Sequence, residues 1–451
     1  MRVLNASQIV DRSRFNAFHL AIIVWSFIII MFDGYDIVIY GSVVPVLMEE
    51  WSLSSVATGA IGSYATLGTA IGALAFGYLA DKIGRRKVIV LSVVLFSICV
   101  PLAGLMVDPV LFAICRIIAG LGLGGVMPNI IALTTEYAPK ASRAAIVSFV
   151  FCGYSVGGIL AGLVSRLILP EFGWRPIFWI AAIPLLMLPF ILKALPESYG
   201  QLLRKGEHKK VGQILSRVDP EYQPGEQDSF TMGSDAKEAK PSVGKIFESK
   251  RRLSTVMFWF ACFSCFILIS SLNTWLPKLM METGYDLRSS LTFVMVLNAG
   301  AILGTIIFGR LTDKKGFKTI LIPLYVCGAV ALSAIGLKTD LWVAYILIAI
   351  VGAASIGLQN LLNAYVSQYY PAEIRSTAVG VYTAFGRIGG IVAPTLVGVL
   401  LSMSLSPQTN LVVLAFSGVI GAIAILLVKE QHGDSIKRLP EETGVELKSQ
   451  T

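Results

Sequence analysis

Charge is what this sequence has least of. Only 14% of its 451 residues are Asp, Glu, Lys or Arg, against roughly a quarter in an ordinary soluble domain. With 55% hydrophobic residues, that shortage excludes a soluble fold. Histidine is scarcer still: His19, His208 and His432 are the whole complement, too scattered for a metal site, and neither an HExxH motif nor a histidine box occurs. The absence of a GxxxxGK[ST] phosphate loop argues against a pump driven by ATP. Long polar stretches are missing too. The largest, around 197–250, is rich in Lys, Glu, Asp and Gly and reads as a linker with a short helix near Gln201 to Ser216, not as the folded output domain a sensor would need. The six cysteines, Cys99, Cys115, Cys152, Cys262, Cys265 and Cys327, fall in apolar runs, where a thiol behaves as a small apolar group. Cys262 and Cys265 have the spacing of a redox or metal pair, but no second pair or histidine cluster accompanies them.

Apolar runs are what remains. They lie near 18–40, 58–79, 88–106, 110–133, 144–168, 176–194, 254–277, 290–310, 318–337, 341–362, 377–401 and 409–428. A hydrocarbon core of ~30 Å is crossed by about 20 helical residues, so these predict an all-α membrane protein of twelve transmembrane helices. Met1 to Asn16 is polar and carries Asp11, Arg12 and Arg14, which does not read as a cleavable signal.

The formal charge of +9 is distributed on one side. Lys82, Arg85, Arg86 and Lys87 follow the second run, Lys140 and Arg143 the fourth, Lys314, Lys315 and Lys318 the eighth, and Arg375 the tenth. Basic loops mark the cytoplasmic side, so both termini are expected there, in a multi-pass protein of the plasma (inner) membrane. The excess is topological, and no nucleic-acid partner is expected.

An offset of 232 residues relates the two halves. Gly68, Gly72, Phe76, Gly77, Leu79, Asp81, Lys82 and Gly84 recur as Gly300, Gly304, Phe308, Gly309, Leu311, Asp313, Lys314 and Gly316. The register continues through Gly120 and Gly352, Gly125 and Gly357, Pro139 and Pro371, Arg143 and Arg375, and Gly157-Gly158 and Gly389-Gly390. Six runs per repeat keep the two copies parallel. The expected organisation is a six-helix bundle at 1–194, a cytoplasmic linker at 195–253, a second six-helix bundle at 254–430 and a cytoplasmic tail at 431–451.

The segment Gly77-Tyr-Leu-Ala-Asp81-Lys-Ile-Gly84-Arg85-Arg86-Lys87 resembles the signature loop of the major facilitator superfamily, with Gly309 to Lys318 as a weaker second copy in which Phe317 replaces Arg85. Asp33-Gly34-Tyr35-Asp36, Arg116 and Phe385-Gly386-Arg387 resemble the aromatic acid:proton symporter family within it. The resemblance implies the major facilitator fold and proton-coupled import of a small aromatic carboxylate by alternating access. It also implies a carrier rather than an enzyme, driven by the proton gradient with no cofactor.

Four ionisable residues sit well inside the spans: Asp33, Asp36, Arg116 and Arg387. Each costs about 2.5–3.5 kcal/mol at a helix centre on insertion scales, so such residues face the interior and pair. Asp33 and Asp36, at i and i+3, share a helix face, and neighbouring carboxylates in a low dielectric resist being ionised together. With Arg116 they are the proton-coupling candidates, the alternative being a static ion pair. Arg387, near the midplane, is a natural bidentate partner for a substrate carboxylate, the alternative being that it pairs only within the protein, with backbone carbonyls or with a helix 1 aspartate reaching across the cavity. The polar and aromatic residues Tyr35, Tyr40, Asn129, Asn273, Trp275, Asn298, Gln359, Asn363, Tyr382 and Phe385 are cavity-lining candidates, of which Tyr35, Asn273, Trp275, Asn298, Gln359, Tyr382 and Phe385 join Arg387 as expected substrate contacts.

Gly77, Asp81, Gly84, Arg85 and Arg86, with Gly309 and Asp313 in the second copy, are expected to gate. Asp81 would accept from a helix N-terminus of the other half, and the arginines would pair with acids or lipid phosphates. Gly153, Gly157 and Gly158, and Gly386, Gly389 and Gly390, are packing seams. A carrier of another organic acid such as nicotinate, or of a polyol or sugar, is the alternative, although intramembrane arginines argue against a neutral sugar. The expected partners are substrate, protons and membrane lipids, and one chain holding both repeats is expected to work as a monomer.

Overall fold

The computed structural model describes residues 2–225, 228–231, 243–248, 251–337 and 339–429; the tail expected at 431–451 lies outside the described residues. Among them are eleven helices long and apolar enough to cross a membrane, and a bent pair that makes a twelfth. Spans 1 to 5 are Ala17–Glu50, Ser55–Ile83, Arg85–Ala103, Pro109–Tyr137 and Arg143–Phe172. Spans 7 to 12 are Arg252–Glu282, Leu287–Lys315, Phe317–Ile335, Leu341–Tyr369, Ala372–Ser402 and Pro407–Leu427. The chain is a multi-pass membrane protein.

Helix ends extend past the apolar runs because caps, not hydropathy, terminate them. Asn16 closes a capping box with His19 at the start of span 1. Asp286 caps span 8, and its carboxyl is held below the usual carboxylate range first by the Ser289 hydroxyl and, against some desolvation, by backbone N–H groups. Span 6 is not continuous. It runs as Arg175–Trp179, a 3-10 turn at Ile180–Ala182, Ile183–Leu186 and Leu188–Ala194, with the last two sections of the span meeting at 40°. A proline stands in the first turn of each α-helical piece, and Pro184 and Pro189, lacking an N–H, cannot donate to the carbonyl four residues earlier that a continuous helix would pair. Span 10 carries a π-helical turn at Ala353–Gly357.

The repeat is visible in backbone detail. Spans 2 and 8, and spans 3 and 9, have bounds that differ by the same 232 residues, and each pair is joined through one glycine at positive φ, Gly84 at +116° and Gly316 at +83°. Gly68 lies against the Ile117 carbonyl and Gly300 against that of Ala349; Gly72 meets Leu121, and Gly304 meets Ala353. Arg143 donates to the Ala138 carbonyl at 3.0 Å, and Arg375 donates to that of Tyr370 at 3.5 Å.

Spans 1 and 5, 2 and 4, and 3 and 4 pack within the first bundle, and spans 7 and 11, 8 and 10, and 9 and 12 within the second. The bundles meet along spans 2 and 11, 5 and 8, and 1 and 7. That contact is tightest at the end away from the basic loops. There Gly59 abuts the Pro394 carbonyl, Gly398 that of Ser55 and Gly41 that of Asn273, and Ser63 and Thr395 share a hydroxyl hydrogen bond of 2.8 Å. Toward the basic face the bundles diverge: a side chain at Gly77 or Gly380 would meet nothing within 4 Å. The molecule is closed at one end and cleft at the other.

The described residues of the linker include two α-helices, Tyr199–Arg204 and His208–Val218, broken at Gly206 with φ of +72°, and a 3-10 turn at Val243–Phe247, where the sequence suggested one helix near Gln201 to Ser216. It also holds strand β2, Asp228–Thr231, paired in parallel with β1, Arg2–Asn5. Asn16 Nδ2 ties the same region down through the Arg217 and Val218 carbonyls, at 3.1 and 2.9 Å.

Candidate functional site

The four intramembrane charges divide into two pairs with different surroundings. Arg116 Nη1 donates to Asp36 Oδ1, and Nη2 reaches the Asp36 carbonyl at 3.4 Å. Both side chains are 3% exposed. Tyr40 stacks its ring on the guanidinium at 5.7 Å and anchors its hydroxyl on the Thr58 carbonyl at 2.6 Å. All of these residues belong to the first bundle, so this pair joins span 1 to span 4 within one half.

Asp33 has no such partner among the described residues. It is buried, in no ion pair within 4.0 Å, and the charges that act on it are Asp36 and, from the other bundle, Arg387. Arg387 has only one long hydrogen bond among the described residues, 3.5 Å to the Thr69 carbonyl on span 2, and Asp33 of the other bundle lies within its electrostatic reach. Tyr154 on span 5 stands among them, in electrostatic reach of Asp33, Arg387 and Asp36 and facing the Asn273 side chain. Glycine explains why it is there. Gly34 lies against the Tyr154 backbone and Gly157 against the Met31 carbonyl, so spans 1 and 5 approach until Tyr154 sits beside Asp33. Tyr154 carries no sequence signal of its own, being one aromatic in an apolar run. Its neighbours complete the string Gly153-Tyr154-Ser155-Val156-Gly157, a GxSxG pattern that is continuous helix here and not the strand-to-helix turn a nucleophile elbow requires.

The remaining candidates separate. Asn273 is 3% exposed, and neither its Oδ1 nor its Nδ2 makes a close hydrogen bond among the described residues. Asn298 packs on Gly158 at the crossing of spans 5 and 8, with Oδ1 likewise unpartnered. Gln359, Asn363 and Tyr382 form a hydrogen-bonded group on spans 10 and 11. Three residues are not brought to the cleft. Tyr35 is fully buried and donates to the Ile177 carbonyl at 2.8 Å, tying span 1 to span 6. Trp275 is spent on the Pro394 carbonyl at 2.9 Å. Phe385, two residues from Arg387 and so turned about 200° around the helix, stacks on Trp259 at 5.3 Å among Phe260 and Phe263. Asn129 bonds its own helix at the Gly125 carbonyl. Cys262 and Cys265 are free and buried, and among the described residues no group of His, Cys, Asp or Glu could hold a metal.

In the signature loop, Arg85 pairs with Glu136 at 2.9 Å, Glu136 accepts from the Ser198 hydroxyl and the Gly200 N–H, and Glu197 accepts from the Arg86 N–H at 3.2 Å. These bonds run from span 2's end to the start of the linker, all beside the first bundle. Asp81 and Asp313 are exposed. Among the described residues, no helix N–H of the other half donates to Asp81 as expected, because the bundles stand apart at this face; Gly309 has only Leu361, of its own half, in reach. Glu136 was missed by sequence reasoning. It falls just outside the apolar run, where a lone acid looks solvated.

A membrane-spanning pair of parallel-repeat bundles, with ionisable residues of both halves buried at membrane depth, defines a carrier rather than an enzyme. The sequence profile of the Major Facilitator Superfamily matches residues 26–394 and 339–449. The benzoate transport protein of Acinetobacter baylyi is 41% identical over 437 residues, covering 96% of this chain and 94% of that protein. The gentisate transporter of Corynebacterium glutamicum is 30% identical over 432 residues, covering 93% and 89%. The xylose transporter XylE from E. coli, in a partially occluded inward open conformation, matches with a TM-score of 0.74 at 19% identity, over 93% of this chain and 100% of that one, a likeness of fold. The chain belongs to the major facilitator superfamily, among its aromatic acid transporters.

Proposed function

We propose that this protein is a proton-coupled symporter that imports a small aromatic carboxylate across the plasma membrane by alternating access. The observation that carries the reading is Arg387: a guanidinium at membrane depth, with no ion pair of its own among the described residues, within electrostatic reach of Asp33 in the opposite bundle. A substrate carboxylate entering the cleft competes with Asp33 for that guanidinium. Asp33, losing its counter-charge in a dry site, takes up a proton, so substrate and proton are loaded together. Neutralised this way, the site can be closed over without burying an unpaired charge. Asp36 and Arg116 keep span 1 on span 4 throughout.

The relatives named for benzoate and gentisate support an aromatic acid as the cargo. The basic face is cytoplasmic by the positive-inside rule, which makes the described conformation inward-open with both termini inside. One chain contains both halves of the cleft, so a monomer suffices, and the proton gradient replaces any cofactor. A nicotinate-like acid would engage the same guanidinium and is separated only by measurement.

The test is uptake of labelled benzoate, 4-hydroxybenzoate, protocatechuate and nicotinate into proteoliposomes, with and without an inward proton gradient. Asp33→Asn is expected to abolish accumulation while sparing substrate exchange, and Arg387→Ala to remove both. No uptake of any aromatic acid, or accumulation that persists in Asp33→Asn, would sink the proposal.

A further inference from the structure

On the membrane-facing side of the sealed end, where spans 2 and 11 meet, the surface carries a groove of about 520 Å³. Its wall is aliphatic: Ile391, Val392, Leu396 and Leu400 of span 11 line it, with Val392 and Leu396 exposed. The two polar side chains on it, Ser63 and Thr395, spend their hydroxyls on each other at 2.8 Å. Nothing there asks for a head group, a polar peptide or water, so the fitting occupant is hydrocarbon.

The dimensions select which hydrocarbon. From Ile391 to Leu400, span 11 rises about 13.5 Å, and Leu400 stands just before the helix end at Ser402, opposite the basic loops. The groove therefore covers one leaflet's share of a hydrocarbon core ~30 Å thick. A helix along the same length would need roughly 1,000 Å³ at a diameter of ~10 Å, about twice the space, so a second copy could enter only in part. A single acyl chain is slimmer and has the right reach. Lipid tails are as apolar as leucine, so no hydrophobic gain favours this place over the rest of the bilayer-facing surface. What favours it is dispersion: a chain in the groove touches protein along its length, and an empty groove forfeits those contacts.

The geometry points to an acyl-chain site: one tail of a phospholipid, from the leaflet opposite the basic loops, lies in this groove while that end of the molecule is sealed. The floor is the Ser63–Thr395 bond, which joins the two bundles, and Gly59 on the Pro394 carbonyl holds the same walls together. Parting the bundles here breaks that bond and splits the floor. A ligand that binds one state and not the other stabilises the state it binds, so occupancy by lipid is linked to closure of this end. The site does not depend on what Arg387 binds.

The experiment reconstitutes the native protein in phosphatidylcholine vesicles in which a fraction of the lipid carries a photoactivatable diazirine in mid-chain, and maps the adducts by mass spectrometry. Adducts should concentrate on Ile391 to Leu400, several-fold over other exposed positions such as Val330 on span 9 and Phe416 on span 12. Leu396→Trp fills the groove and Gly59→Leu parts its walls. Each should lower the adducts there several-fold and leave those at Val330 and Phe416 unchanged, which also shows that the variant is folded. Even labelling over all exposed positions, or a maximum on span 11 that neither variant lowers, overturns the site. A maximum that Leu396→Trp lowers and Gly59→Leu does not overturns its link to closure. Disulfide-linked dimers of Leu396→Cys in a Cys327→Ser background, with few lipid adducts at the groove, would place a second copy there and overturn the lipid assignment.

Discussion

Asp36→Asn and Arg116→Gln should damage the protein unequally, although they break the same contact. Both side chains are 3% exposed and face each other within one bundle. Removing one partner of a buried pair costs about 3–5 kcal/mol, because the survivor keeps its charge without water or counter-ion. The guanidinium left by Asp36→Asn cannot discharge. A buried carboxylate is the easier of the two lone charges to neutralise, so Asp36→Asn should show the larger loss. In a cooperative unit the size of one six-span bundle, each kcal/mol moves the midpoint by about 2–4 °C, so thermal unfolding of purified Asp36→Asn in detergent should fall by about 6–20 °C. The double variant, with two neutral amides able to bond each other, should recover most of that. Asp33→Asn, which breaks no direct pair, should melt close to the native protein while losing gradient-driven accumulation. If Asp36→Asn melts like the native protein, or the double variant is as unstable as the two losses added, the pair is not a static clamp. Asp36 would then have to carry the coupling assigned to Asp33.

Gly59→Leu would drive a side chain into the Pro394 carbonyl and should open the sealed end. With Ser63→Cys as reporter, labelling by an impermeant thiol reagent from the face opposite the basic loops should rise several-fold, and unchanged labelling would show that the seam does not govern access. Glu136→Gln weakens the bonds to Arg85, Ser198 and Gly200 together. A loss of about 1–3 kcal/mol for the unsatisfied partners should lower the melting midpoint and slow exchange without changing substrate selectivity.

Much of the fold was legible in the letters because a bilayer leaves the backbone few options. Apolar runs gave the spans, and the 232-residue register gave the two bundles. The interrupted span 6 was there to be read in Pro176, Pro184 and Pro189, yet hydropathy alone reports one run. The short sheet of β1 and β2 was not readable, since the whole first bundle lies between its strands in the chain and neither alternates over a useful length. At the site, charge was the informative signal: Asp33, Asp36, Arg116 and Arg387 are the ionisable residues at membrane depth, of which Asp36 and Arg116 pair inside the first bundle and Asp33 and Arg387 belong to opposite bundles. Sequence could not sort them, because whether an acid faces its own bundle or the other depends on helix rotation. For the same reason Tyr35, Trp275 and Phe385 read as cavity residues and sit in packing contacts, whereas Tyr154, which drew no reading from the sequence, stands beside Asp33.

The sealed end is a joint of main chain on main chain, Gly59 on Pro394, Gly398 on Ser55 and Gly41 on Asn273. Glycine has no rotamers to lose, so shutting such a joint freezes no side chains and reopening it releases none. Its cohesion comes from three close glycine-to-carbonyl approaches, Cα–H···O contacts of about 0.5–1 kcal/mol each, together with the single hydroxyl bond of Ser63 and Thr395. An added methyl group at any of the three glycines would strike main chain that has no rotamer to move away.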